Sequence, residues 1–169
     1  MNTIEPANFW RAVGFRAIGA AVVAARNADG PAGLLALSTA HLSQSPPTMT
    51  CAVGLTTSAL STILEAGHFA ISFLSEDQGD VAERFGGRTA LKGAERFEPA
   101  RWDVLKTGAP VLKDAVGALD CELDEAIQRH GTMILIGRIV AFHSAGGLTP
   151  LVYFQGAPLR VAPRHDGHE

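Results

Sequence analysis

The residues whose type and spacing could do chemistry here are donors and small side chains rather than nucleophiles. Thr56, Thr57 and Ser58 stand where a turn gives way to an apolar period at Leu60, Ile63 and Leu64. Hydroxyls and amides at such a helix start are oriented donors for a phosphate. Ala36, Ser38, Thr39 and Ala40 form a small-residue run in an extended stretch, where backbone can approach a flat ligand closely. Arg84 and Arg88 could add charge-assisted contacts to an anion. His130 and Thr132 flank Gly131 ahead of a strand-like run.

Stronger catalytic signatures are absent. The chain has no G-x-S-x-G for a hydrolase and no G-x-G-x-x-G after a strand for a dinucleotide fold. The run from Gly86 to Gly93 resembles a phosphate loop in composition only, because no Gly-Lys-Ser/Thr closes it. The 6 histidines do not fall at metal-ligand spacings backed by cysteine or carboxylate, so no metal is expected. A reaction carried by a bound cofactor fits this inventory better than one carried by side chains.

Composition narrows the class further. At 169 residues with 47% apolar side chains, one domain (1–169) with a full core is expected, frayed in a polar tail from about residue 162. The 14 basic and 17 acidic residues leave a charge of −3 with both signs scattered, which argues against nucleic acid as partner. Cys51 and Cys121 sit in apolar stretches and read as buried, reduced thiols. No basic-then-apolar leader opens the chain and no apolar run reaches the ~20 residues that cross a bilayer, so a cytoplasmic protein without a membrane partner is expected.

The elements that must position these residues follow from periodicity and punctuation. Pro6, Phe9, Trp10 and Val13 suggest a short opening helix, ended near Gly14. Strand signals follow around Val22-Val23, over 33–42 and over 48–53, with a turn at 27–30 and prolines 46 and 47 as a stop. A helix runs from an N-cap at Ser58 to Gly67, then a strand over 69–74. Ser75 and Gln78 form a capping box for a helix carrying Val81 and Phe85 and ending at Gly86-Gly87. An irregular stretch holds Phe97 and Trp102, and strand runs close the chain over 116–127, 132–142 and 151–155. Two interior helices among so many strands exclude regular βαβ alternation. The expected fold is mainly β with flanking helices, an antiparallel, closed or partly closed barrel.

The ordered set of segments carries a resemblance. It comprises Gly33-Leu-Leu-Ala-Leu-Ser38-Thr39-Ala-His-Leu-Ser43 running into Pro46-Pro47, then the Thr56-Thr57-Ser58 turn, then Phe69-Ala-Ile-Ser-Phe-Leu74. After these come Ala82-Glu83-Arg84-Phe85-Gly86, Gly108-Ala-Pro110, Leu119-Asp-Cys121-Glu, Ile136-Gly137-Arg138-Ile139 and Leu151-Val-Tyr153-Phe154. Over about 9–159 this resembles the flavin reductase-like family. The resemblance implies an antiparallel Greek-key split β-barrel of FMN-binding type, and a homodimer. It implies NAD(P)H:flavin oxidoreductase activity, with hydride passing from nicotinamide C4 to N5 of non-covalently bound FMN or FAD. NADH or NADPH is the donor, and a partner monooxygenase receives reduced flavin by diffusion.

The resemblance also implies a site: Ala36, Leu37, Ser38, Thr39, Ala40 and His41 along the ring, Gly54, Thr56, Thr57 and Ser58 at the phosphate, with Arg84, Phe85 and Arg88 nearby. Taken singly, each has an ordinary reading. Ser38 and Thr39 suit a strand, Thr57-Ser58 a cap, Arg84 a solvated helix face and Phe85 a core. Two positions depart from the family. Leu35-Ala36-Leu37-Ser38 stands where Thr-Ala-Asn-Ser is common, so two polar side chains are missing and some ring contacts must come from backbone or water. Where members often carry a histidine beside the nicotinamide, the ungapped count from Ile139 gives Thr132, and His130 lies two residues earlier. These departures leave two alternatives open. One is a tightly held flavin passing electrons to another acceptor such as a corrinoid, and the other a non-catalytic flavin-binding module.

Overall fold

The stretch 21–25 is buried on both faces, and this places it at the centre of the molecule. Alternation sends Ala21, Val23 and Ala25 into one apolar cluster, and Ala20, Val22 and Ala24, on the other face, into a second. The structure, a computed structural model, describes residues 4–162, so the polar tail expected beyond about 162 lies outside the described residues.

In chain order, a 3-10 turn at Pro6–Asn8 leads into α1 (Phe9–Val13), then β1 (Ile18–Gly19), β2 (Ala21–Asn27), β3 (Gly30–Ala36), β4 (Ala40–Gln44) and β5 (Pro47–Gly54). Next come α2 (Ala59–Ala66), β6 (His68–Phe73), α3 (Gly79–Phe85), β7 (Trp102–Val104) and β8 (Pro110–Leu112). The chain closes with β9 (Gly117–Arg129), β10 (Thr132–Ser144), β11 (Val152–Phe154) and β12 (Ala157–Leu159). The 7-stranded sheet has the order β3-β2-β6-β9-β10-β5-β4 and its ladders are antiparallel. The connection from β5 through α2 to β6 passes over β10 and β9, an out-of-sequence crossing that an up-and-down meander lacks.

The sheet curls. Side chains from β2 and β3 at one edge share a core with Met49, Cys51 and Val53 of β5 near the other, and Leu60 and Ile63 of α2 plug the interior. Among the described residues no ladder joins β3 to β4, so the barrel is split along that seam. Its outer layer is α3 with Phe97 and Leu112, packed on β2. Phe85, Phe97 and Trp102 form an aromatic triad with centroids 4.7–5.4 Å apart. That triad stands over Gly33, where an added Cβ would lie 3.0 Å from the Phe85 ring. At Gly137 a Cβ would lie 2.5 Å from Phe69 Cζ, closer than carbon atoms pack, so glycine is required beneath that ring.

Punctuation residues act much as expected, with differences that have physical reasons. Gly67 ends α2 with φ of 66°. The Ser75–Gln78 capping box is present, but it heads a 3-10 turn before α3 begins at Gly79. The extended stretch 33–42 is broken at 37–39, where the chain leaves one edge of the sheet for the other. The stretch around Trp102 contains the β7–β8 hairpin, whose strands are too short to leave a period in sequence. The strand expected over 151–155 is β11, and Gln155 (φ 51°) and Gly156 (φ 80°) turn the chain back into β12, which was not expected from sequence.

Candidate flavin-binding site

β5 alternates strictly near its end, with Cys51 and Val53 in the core and Ala52 and Gly54 exposed on the opposite face. That outer face is the track along which the candidate residues gather. At its start, Ser38 donates to the Ala52 carbonyl at 2.9 Å and accepts from the Ala52 amide at 3.2 Å. Two residues on, about 7 Å along the strand, Gly54 pairs across the ladder with Thr132. The turn 55–58 follows, tied down by Leu55 N–H donating to the Gly131 carbonyl and Thr57 N–H to that of Gly54.

A cleft of about 350 Å³ opens beside this track, lined by Leu37, Ser38, Thr39 and Ala40 together with Arg16, Ala17, Ile18, Gly19 and Phe73. Its size is in the range of small-molecule sites. Residues 37–39 belong to neither flanking strand, so their backbone groups are available at its wall. A larger open cleft of about 410 Å³ sets Asp77 and Asp114 among Arg101 and Lys113. It offers no flat apolar wall for a planar ring, and the smaller cleft is the candidate.

Among the expected residues, Leu37, Ser38, Thr39 and Ala40 come together in the cleft. Ala36 is 3% exposed with its side chain in the barrel core, leaving only its backbone toward any ligand. His41 is exposed on β4, paired with Met49. Thr56 and Ser58 are exposed and Thr57 half-buried. Ser58 occupies the N-cap of α2 but makes no side-chain capping bond, leaving its hydroxyl uncommitted.

Arg84, Phe85 and Arg88 lie elsewhere, on α3 and just after it. Arg84 donates to Glu98 at 3.2 Å, Phe85 is buried in the aromatic triad, and Arg88 is exposed. His130 occupies the β9–β10 hairpin tip with φ of 52°, exposed, while Thr132 is half-buried beside Gly54. Sequence reasoning missed Arg16–Gly19 and Phe73. Arg16–Gly19 carry no motif and the 69–74 segment read only as a strand; they reach the cleft because β1 pairs with β11 and β6 ends beside β2.

The residues fit a flavin in two respects. Backbone freed from the ladders stands beside small side chains at a ring-sized cleft, and α2 opens with hydroxyls not spent on capping. The buried thiols take no part: desolvation pushes Cys51 up to about 11, against the opposing effect of its contact with the Ser38 hydroxyl. Burial and then the charge of Asp120 push Cys121 up to about 12. Among the described residues no His, Cys, Asp and Glu group could hold a metal ion.

Comparison with known proteins agrees with this fold. Residues 16–161 match the flavin reductase like domain. An FMN reductase (NADH) RutF 2 of Rhizobium rhizogenes is 38% identical over 130 residues, covering 75% of this chain and 73% of the relative. An FMN reductase (NADH) RutF of Pseudomonas syringae is 32% identical, covering 80% and 76%. Among solved structures, BorF, the flavin reductase component of a bacterial two-component tryptophan halogenase, superposes with a TM-score of 0.87 at 26% identity over 95% of this chain and all (100%) of BorF. A flavin reductase domain protein of Arthrobacter superposes at 0.83 with 25% identity, covering 97% and 100%. A chain that matches this domain over most of its length, and carries its fold, belongs to the flavin reductase-like family.

Proposed function

We propose that this protein is an NAD(P)H-dependent flavin reductase that binds FMN or FAD non-covalently and supplies reduced flavin to a partner monooxygenase. The observation that carries the reading is the 37–40 cleft, joined through Ser38 to Ala52 on the exposed face of β5, the strand that leads by Gly54, opposite Thr132, to the 56–58 turn. The likeness to NADH-dependent FMN reductases favours NADH and FMN as the working pair.

When bound, the flavin supplies a ring that accepts hydride from the nicotinamide. The chain's own part is alignment. Ala40 and Thr39 leave room for the ring, and the backbone of 37–39 offers donors and acceptors to its polar edge, in place of the polar side chains missing at Leu35 and Leu37. Both leucines instead pack toward the outer core. Thr57, Ser58 and the first amides of α2 hold the phosphate. Thr132 borders the nicotinamide side.

We assign a homodimer as the working unit. Phe9, Trp10, Phe15 and Phe142 are 48%, 76%, 68% and 73% exposed, an amount of bare aromatic surface that a partner would cover. Among the described residues no helix is long and apolar enough to cross a membrane, and dependence on reduced nicotinamide assigns the protein to the cytoplasm. Stopped-flow oxidation of NADH and NADPH with FMN and FAD in turn tests the function. The expected result is fast NADH oxidation coupled to flavin bleaching, and no flavin-dependent oxidation of either donor would overturn it.

A further inference from the structure

The β4–β5 ladder pairs Ala40 with Thr50 and His41 with Met49. Continued back two residues in the same register, it sets Ser38 opposite Ala52. The ladder nevertheless stops at Ala40, and the Ser38 hydroxyl takes its place by bonding both the amide and the carbonyl of Ala52. One side-chain oxygen thus satisfies both backbone groups of Ala52 on that side, and the Ser38 amide and carbonyl are released from pairing.

We propose that Ser38 is a positioning residue: its hydroxyl latches Ala52 in place of a backbone rung and holds the freed 37–39 backbone at the flavin ring. Its effect on flavin passes through the backbone and not through contact with the ligand. A backbone rung at this position would turn the Ser38 amide and carbonyl into the sheet, away from the cleft. Alanine at 38 leaves the Ala52 groups without their partner and the segment free to shift. Threonine keeps the hydroxyl and, being β-branched, tolerates extended backbone.

The inference rests on the flavin-binding reading, and the test separates the two. Ser38→Ala and Ser38→Thr are compared with the unmodified protein by amide exchange at Ala52 without flavin, and by titration with FMN and with riboflavin, which lacks the phosphate. Ser38→Ala is expected to lose protection at Ala52 and to bind both flavins roughly tenfold more weakly, the loss of about one hydrogen bond's net contribution. Ser38→Thr is expected to restore both. Weaker binding with Ala52 protection unchanged would overturn the proposal in favour of direct contact. Lost protection with unchanged affinity would overturn it as well, leaving the latch structural only. No FMN binding by the unmodified protein would overturn the flavin reading itself, and the positioning role with it.

Discussion

Thr132 stands directly across the ladder from Gly54, so the start of β10 and the mouth of the 55–58 turn share one rung. Paired residues project to the same face, and glycine leaves that face open beside the threonine. The β9–β10 hairpin closes through His130 and Gly131 alone, with Arg129 paired to Thr132.

This arrangement separates the roles of the two hairpin residues. Thr132→His should place an imidazole beside the nicotinamide, lowering KM for NADH several-fold and leaving FMN affinity nearly unchanged. His130→Ala should change neither, because the side chain sits exposed at the tip. Steady-state kinetics on both variants checks this. A large loss of turnover in a folded His130→Ala would show that the imidazole reaches the site.

Binding and stability should separate at the 55–58 turn if it holds the flavin phosphate as proposed. Ser58 makes no side-chain capping bond, so Thr57→Ala with Ser58→Ala should lower Tm little. FMN binding should weaken by about 1–3 kcal/mol, the range for losing hydrogen bonds to a charged group. Fluorescence titration beside thermal unfolding reads both, and an unchanged Kd would remove this turn from the site.

Ala36 and Ala40 face opposite ways. Ala36 lies in the barrel core, so Ala36→Phe should overpack it at a cost of ~1–3 kcal/mol and lower Tm. Ala40 lines the cleft and is exposed, so Ala40→Phe should block FMN with the fold intact. Circular dichroism and flavin titration on the pair distinguish the outcomes. Unimpaired FMN binding by Ala40→Phe would place the ring elsewhere.

The thiols set an alkaline limit. A cysteine ordinarily titrates at 9.0, whereas burial raises Cys51 to about 11 and Cys121, with Asp120 beside it, to about 12. Above pH 9 the native state therefore holds more protons than the unfolded chain, and stability falls as pH rises. The contribution is fully present below pH 9 and is lost progressively toward 11 and 12, by at most about 1.4 kcal/mol per pH unit per thiol. Urea unfolding at pH 8 and 10.5 measures it, and Cys51→Ala with Cys121→Ala should flatten the difference. An equal slope in that variant would assign the loss to other groups.

Much of the fold was legible in sequence because its signals are local. The capping box at Ser75 and Gln78, the stop at Gly67 and the alternation in β5 are set by residues within a few positions of each other. The order of such segments was enough for the family, and it singled out 37–40 and 56–58 as candidates. Tertiary structure decided the rest, because it depends on residues distant in the chain. The break at 37–39 comes from a bond between Ser38 and Ala52, and the burial of Ala36 from the strands that curl around it. Arg16 lines the cleft because β1 is drawn to β11, and the Arg84 guanidinium is turned to Glu98 across a loop. Spacing along a strand tells which side chains share a face, but only the curvature of the sheet tells whether that face meets the core or the ligand.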